Sequence, residues 1–173
     1  VGNSLNDASK VRPEFALEIA RRWLKEGQQG PWTRHVVDKG LRTLVKLGDA
    51  RAMEILGLED LKVEAVARLK SVGPGAPNSN LDLELEVRNL GQRETRAALV
   101  CELETTGKNP SKPRRRRRRL GSLLLPKGES CIFRVRERVY DKKSTPLLDG
   151  AGRVRFFLNG KEEAEALFEL KRV

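Results

Sequence analysis

The sequence predicts a multidomain α+β protein, with helices in residues 1–58 and an antiparallel β sandwich in residues 59–173. Before Leu58, apolar residues recur every three or four positions, as they do in amphipathic helices. After Leu58 the period becomes two, which is typical of half-buried strands. Charge divides in the same way: the first segment holds 10 basic and 7 acidic residues and the second 25 and 17, giving net charges of +3 and +8.

Several helices are expected in the first segment. Residues 1–10 place Val1, Leu5 and Ala8 on one stripe, and because no capping residue precedes Val1 we expect a fragment whose preceding part is missing. Later helices are expected over Pro13–Gly27, Trp32–Leu47 and Ala50–Leu56, the last of them capped by Asp49. Helices joined by short turns are typical of αα-hairpin repeats.

Seven strands are expected in the second segment. Residues 81–87 alternate strictly between apolar and acidic side chains. The other strands are expected over Val63–Leu69, Ala97–Leu103, Leu120–Leu125, Cys131–Tyr140, Arg153–Leu158 and Ala164–Leu170. The pair Asn159-Gly160 between the last two is a strong hairpin signal. Seven short strands over about 110 residues point to an immunoglobulin-like sandwich.

The two cysteines are expected to be buried free thiols. Cys101 and Cys131 fall on the third and fifth strands, which are not the positions of the disulfide in antibody domains. The sequence has no signal peptide and no apolar stretch long enough to span a bilayer. We therefore expect a soluble, cytoplasmic monomer that does not associate with membranes.

The most unusual feature is a run of six arginines: Arg114, Arg115, Arg116, Arg117, Arg118 and Arg119. Like charges repel, so such a run is expected in solvent or against a polyanion. Residues 107–113 have a loop-like composition, and a strand is expected to begin only at Leu120, which places the run on the surface of a folded domain. Nucleic-acid phosphate is the first partner to consider, because arginine that neutralises phosphate releases counterions. A solvated basic loop without a ligand is the alternative.

Other basic residues allow two interpretations. The sequence offers no acidic segment of comparable size to pair with the arginine run, and none to pair with Lys142 and Lys143. One face of the fifth strand carries Arg134, Arg136 and Arg138, which predicts either a nucleic-acid track or cross-strand ion pairs. Ion pairs are favoured, because the second strand is expected alongside and would offer Asp82, Glu84 and Glu86. The same reasoning pairs Arg153 and Arg155 with Glu102 and Glu104.

The second long helix also carries a basic face. Lys39, Arg42 and Lys46 follow one another at helical spacing, with His35 one turn earlier. A solvated face and a phosphate-binding face are equally compatible with this pattern. His35 is the only histidine and has no metal-ligand neighbours, so we expect no metal. No nucleotide-binding loop, serine elbow or CxxC motif is present, and no cofactor is expected.

Several segments resemble the AlkC-type DNA alkylation repair glycosylases of bacteria. Residues 1–10 (VGNSLNDASK) with Pro13 resemble the penultimate helical repeat of that family, residues 33–49 (TRHVVDKGLRTLVKLGD) the final repeat, and residues 52–57 (AMEILG) its closing helix. Residues 125–129 (LPKGE), 157–160 (FLNG) and 164–170 (AEALFEL) resemble turns and the closing hairpin of its immunoglobulin-like domain. The family resemblance implies a HEAT-like α-solenoid followed by that sandwich.

The resemblance also implies a function. Family members bind duplex DNA on a concave basic surface and excise N3- or N7-alkylated purines. An alkylated purine is cationic and a good leaving group, so a carboxylate that stabilises the oxocarbenium sugar and positions water can suffice. By this resemblance Asn3 and Asp7 face DNA, with Asp7 as the catalytic carboxylate, and Lys39 and Arg42 also face DNA. Other catalytic acids belong to repeats that this chain lacks, so we expect the chain alone to bind DNA weakly and to excise no bases.

The chain departs from the family pattern at two places. The arginine run stands where mixed basic and apolar residues are common, and residues 140–143 are less basic than is usual. A DNA-binding or protein-scaffold module without enzymatic activity is the alternative function.

Overall fold

The computed structural model of the protein describes residues 1–26, 30–58, 60–73, 78–107, 112–140 and 148–170. Its helices are α1 (Gly2–Val11), α2 (Pro13–Glu26), α3 (Pro31–Gly40), α4 (Arg42–Leu47) and α5 (Ala50–Ile55). Its strands are β1 (Val63–Val72), β2 (Asn78–Asn89), β3 (Thr95–Thr105), β4 (Arg114–Leu125), β5 (Ser130–Tyr140), β6 (Gly150–Leu158) and β7 (Lys161–Leu170).

The strands form two antiparallel sheets with the orders β1-β2-β5 and β4-β3-β6-β7. Alternate residues of each strand point into one shared core, as the period of two predicts. On β2 these are Leu81, Leu83, Leu85 and Val87, and the largest fully buried side chain of this core is Phe156 of β6. Strand β1 packs beside β7 at one pair of sheet edges, and at the other pair arginine side chains of β4 reach β5.

The predicted fold class is wrong. Across the described residues the structure is mostly β, with about 49% strand in two antiparallel sheets and five helices, and it is not an α-solenoid followed by an immunoglobulin-like domain. The helices bury a small apolar cluster around Leu17, Val37 and Leu41, and Ala98 of β3 completes that cluster. They therefore pack against a sheet as well as against one another. The periodicity of a sequence identifies such elements but does not determine how they assemble.

The predicted helix Trp32–Leu47 is divided into α3 and α4. Leu41 leaves the helical conformation, with φ −96° and ψ 4°. Two contacts with α1 accompany this break in the helix. Asn6 Oδ1 accepts the Thr43 N–H at 3.1 Å, which caps the start of α4, and Gly40 packs so closely on Leu5 that a Cβ there would lie 2.5 Å from Leu5 Cδ2. Lys39 and Lys46 consequently belong to different helices.

Two smaller predictions can be compared directly with the structure. The N-cap of α5 is confirmed, because the Asp49 carboxylate accepts the N–H groups of Arg51 and Ala52. Both cysteines are free, but only Cys101 is buried and Cys131 is half-buried. Burial raises the pKa of the Cys101 thiol to about 12. Within the described ranges, no helix combines the length and the apolar character that a bilayer crossing requires.

Candidate nucleic-acid interface

The arginine run forms the first half of strand β4 and is not a loop. Strand β4 pairs with β3 from Thr105↔Arg114 to Val100↔Arg119. The prediction that the strand begins at Leu120 is therefore wrong. The mutual repulsion of the arginines is offset by carboxylates from β3, β5 and α3, all distant in sequence, so the expectation that the run lacks acidic partners is also wrong.

Two odd-numbered arginines of the run point outward and form ion pairs with glutamates of β3. Arg115 Nε donates to Glu104 Oε2 at 2.6 Å, and Arg117 Nε donates to Glu102 Oε2 at 2.5 Å. Both glutamates are buried by the surrounding side chains. Arg117 also lies over the ring of Phe157, 4.4 Å from its centre, which adds a cation–π contact.

The same glutamates are flanked on their other side by β6. Arg153 Nε donates to Glu104 at 2.8 Å, and Arg155 Nη2 lies 2.7 Å from an oxygen of each glutamate, which confirms the predicted pairing of these residues. Burial alone raises the pKa of Glu104, but the hydrogen bonds and charges of its arginine neighbours outweigh burial and lower it below the ordinary 4.5. Glu104 therefore stays ionised at neutral pH.

Two even-numbered arginines of the run point between the sheets, toward β5. Arg118 Nε and Nη2 donate to Glu137 Oε2 at 3.1 and 2.7 Å, and Arg116 Nη2 donates to Glu137 Oε1. Glu137 is 1% exposed. A buried carboxylate needs paired and hydrogen-bonded partners, and these two guanidinium groups supply them.

The even-numbered arginines also bond to the backbone of β5, and we call this set the arginine ladder. Its contacts are Arg114 Nη1 to the Tyr140 carbonyl at 3.2 Å, Arg116 Nη2 to the Arg138 carbonyl, and Arg118 Nη2 to the Arg136 carbonyl at 3.2 Å. The carbonyl groups belong to alternate residues on the side of β5 that is not paired with β2. Guanidinium donors thus satisfy backbone acceptors that no neighbouring strand pairs with.

On the outer face of β5 the favoured ion-pair interpretation is partly confirmed. Strand β2 lies beside β5 as predicted, and Arg136 Nε donates to Asp82 Oδ1 at 2.6 Å. Glu86 lies opposite Ile132 in the register and pairs with Arg68 of β1, at 2.9 Å. The two ion pairs of this face therefore involve three strands, β1, β2 and β5.

A basic groove of about 440 Å³ lies between helices α3 and α4 and strand β4. Its walls come from residues 38–46 and 117–122, and the lining residues are Asp38, Lys39, Arg42, Thr43, Lys46, Arg117, Arg118, Arg119, Leu120, Gly121 and Ser122. The fold thus brings together Lys39, Arg42 and Lys46 of the helices and half of the arginine run. Sequence reasoning did not anticipate this meeting, because the two sets lie more than 70 positions apart.

An ion pair between two lining residues connects the helical wall of the basic groove to its strand wall. Arg119 Nη2 donates to Asp38 Oδ1 at 2.8 Å, and Arg119 Nη1 donates to the Asp38 carbonyl at 3.4 Å. The Arg119 side chain is 12% exposed and that of Asp38 26%. Two donors to one residue fix the orientation of the guanidinium group as well as its distance.

The helical wall of the groove keeps uncompensated charge. In the described part of the chain neither Lys39 nor Lys46 forms an ion pair; Lys39 is exposed and Lys46 half-buried. Arg42 donates to Asn3 Oδ1 at 3.0 Å, which connects α4 to α1. On the strand wall, by contrast, Arg117 and Arg118 are paired with glutamates. The two lysines are therefore the cations best able to accept a new anionic partner.

The predicted catalytic carboxylate, Asp7, is exposed on α1 and lies outside the groove lining. It accepts a hydrogen bond from Lys10 Nζ at 2.7 Å. That bond, and then the charges of Lys10 and Arg42, hold its pKa below the ordinary 3.8, so Asp7 is ionised at neutral pH. His35 is exposed on α3 and is also outside the lining. The predicted DNA-binding residues Lys142 and Lys143 lie outside the described residues.

The described ranges contain no group of three His, Cys, Asp or Glu side chains able to hold a metal ion. The fold and the groove define a mostly β protein with a basic cleft between short helices and an edge strand.

No family model matches the chain. Its fold is similar to that of an alkylpurine DNA glycosylase, AlkC of Pseudomonas fluorescens, whose structure contains bound DNA with an abasic site analog. The TM-score is 0.79 at 22% identity, over 98% of this chain and 46% of that one. A curated relative, the uncharacterized protein YhaZ of Bacillus subtilis (strain 168), is 33% identical over 60 residues, which are 35% of this chain and 16% of that protein. The chain spans less than half the length of each.

Proposed function

We propose that this chain is the DNA-binding part of a DNA alkylation repair protein that hydrolyses the N-glycosidic bond of N3- or N7-alkylated purines. The observation that carries the proposal is the basic groove, where Lys39 and Lys46 face a strand wall of arginines. The similarity in fold to an alkylpurine glycosylase that was solved with bound DNA supports the choice of ligand and of reaction.

In this proposal the groove binds the phosphate backbone of duplex DNA. Lysine and arginine that neutralise phosphates release condensed counterions, which provides affinity independent of sequence. Such contacts position the duplex and do not take part in bond cleavage. Lys39, Arg42 and Lys46 then determine affinity, and Arg117 and Arg118 keep glutamate partners that moderate their contribution.

Asp7 is the proposed catalytic carboxylate of the whole protein. Asp7 is ionised at neutral pH, and its pKa is lowered further by Lys10; a negative charge is what stabilises positive charge on the sugar. A cationic alkylpurine leaves readily, so the same carboxylate can also position the attacking water. Asp7 stands one helical turn after Asn3, whose side chain accepts from Arg42 of the groove, which relates the proposed chemistry to the proposed phosphate contacts.

The test measures binding and base release separately. Fluorescence anisotropy would compare an undamaged duplex with one that contains an abasic-site analog, over a range of salt concentrations. Release of 3-methyladenine from methylated DNA would be followed by chromatography. We expect the chain to bind both duplexes, with affinity that falls as salt rises, and to release no base. The absence of binding at low salt would refute the proposal, and base release by the chain alone would refute its division of roles.

A DNA-binding module without catalytic activity is the second candidate. The exposure of Asp7 and its bond to Lys10 favour this alternative, because catalytic carboxylates usually act in sites that exclude water. The whole protein with Asp7→Asn distinguishes the two: an enzyme loses most base release and retains DNA affinity, whereas a binding module shows no base release in either form.

A further inference from the structure

The pair Arg119–Asp38 holds one negative charge inside a basic groove. Arg119 continues the outward-facing series of Arg115 and Arg117. Those two residues pair with glutamates of β3, whereas Arg119 pairs with Asp38 of helix α3. It lies beside a bulge in β4, where Leu99 pairs with Gly121 and Val100 pairs with Arg119, so that Leu120 is the extra residue. Bulges bend a strand locally and change the direction of its side chains.

We propose that the Arg119–Asp38 ion pair is a positioning pair for DNA binding. It holds helix α3, with the adjacent Lys39, at a set distance from the strand wall, so that one stretch of phosphate backbone contacts both walls at once. The proposal rests on the proposed DNA-binding function. Neither member of the pair is proposed to contact DNA, since Arg119 is largely buried and Asp38 carries the wrong charge.

Elementary electrostatics makes the opposite prediction for Asp38. A carboxylate in the groove repels phosphate, so its removal should strengthen DNA binding if charge alone mattered. The positioning role predicts weaker binding, because the helical wall loses its direct polar connection to β4. Contacts within the helical part, such as Asn6 with Thr43, remain and keep the helices themselves in place.

The experiment uses the unmodified chain and three variants with duplex DNA. Asp38→Asn removes one negative charge and breaks the ion pair. Arg119→Lys keeps the total charge but loses the two-donor geometry. The matched control is Asp82→Asn, which breaks an Asp–Arg pair of similar length, 2.6 Å, on the outer face of the other sheet. Affinity would be measured by anisotropy at several salt concentrations, and thermal unfolding would be recorded for each variant.

We expect Asp38→Asn and Arg119→Lys to weaken binding several-fold and to lower the slope of log affinity against log salt. A lower slope means that fewer phosphates are neutralised, which a loss of folding stability alone would not produce at temperatures where the variant is folded. Asp82→Asn should bind equally or slightly more tightly.

Equal or tighter binding by Asp38→Asn, with unchanged binding by Arg119→Lys, would overturn the positioning role and leave the proposed function standing. If the unmodified chain does not bind DNA, the proposed function fails and the positioning role fails with it. Should Asp38→Asn not fold, Arg119→Lys alone decides between the two outcomes.

Discussion

Arg118 and Glu137 belong to different sheets, yet two nitrogens of the guanidinium group donate to the same carboxylate oxygen, at 3.1 and 2.7 Å. Arg116 donates to the other oxygen. Half of the arginine run therefore connects β4 with β5, although six consecutive like charges in a sequence suggest a ligand-binding segment. Arginines that would repel one another in isolation share a buried carboxylate and so link two edge strands.

Glu137→Gln should destabilise the protein by about 3 kcal/mol, because two partly buried guanidinium groups lose their counter-charge. Urea unfolding followed by circular dichroism would measure the free energy of unfolding. Asp82→Asn serves as the control, since the Asp82–Arg136 pair is more exposed to solvent and its loss should have a much smaller effect on stability. Equal effects for the two variants would contradict a special role for Glu137.

Lys39→Ala and Lys46→Ala should each weaken DNA binding and reduce the slope of log affinity against log salt by about 1, the value expected for one lost phosphate contact. Lys25→Ala is the matched control, because Lys25 is exposed on α2 and lies outside the groove lining. If Lys25→Ala produced the same change, binding would depend on net charge and not on the groove.

Asp49→Ala should destabilise the protein by about 1 kcal/mol at neutral pH, since α5 loses its N-cap. The hydrogen bond from Arg51 is the main reason that the pKa of Asp49 lies below its ordinary 3.8. A lowered pKa means that ionised Asp49 stabilises the folded state above pH 3.8 and that this contribution is lost as pH falls further. The difference in unfolding free energy between the two proteins should therefore be constant from pH 7 to about 4 and decrease below 3.8.

Cys131 should react with N-ethylmaleimide much faster than Cys101 in the folded protein. Cys131 is half-buried, whereas Cys101 is buried and its pKa is raised to about 12, so little thiolate is present. Peptide mass spectrometry after brief labelling would show which thiol is modified. A mass deficit of two hydrogens in the unreduced protein would instead reveal a disulfide and contradict the prediction that both thiols are free.

Local patterns predicted the elements well. All seven strands exist, and the alternation at residues 81–87 places its leucines in the core as expected. The ends were less predictable: β4 begins at Arg114 because its partners Glu102, Glu104 and Glu137 lie on other strands, and no local rule records such partners. The division of the long helix at Leu41 likewise depends on α1.

The assembly of these elements could not be predicted from periodicity. The fold class was wrong because the packing of helices on a sheet, visible in the place of Ala98 in the helical cluster, is a tertiary property. The candidate site was predicted as two separate basic segments, and only the fold shows that Lys39 and Arg117 line one groove. The domain boundary between residues 58 and 59 remains a prediction, as do the DNA-binding and catalytic roles.

The arginine ladder has a consequence for self-association. An edge strand with unpaired carbonyl groups is a template on which strands of other molecules can add and aggregate. In β5 those acceptors are occupied by side chains of the same molecule, and the repelling guanidinium groups keep a second β5 away. Replacing all six arginines to abolish DNA binding would therefore also expose this edge. We expect that altered protein to precipitate or form fibrils, whereas Lys39→Ala and Lys46→Ala should each leave the protein soluble.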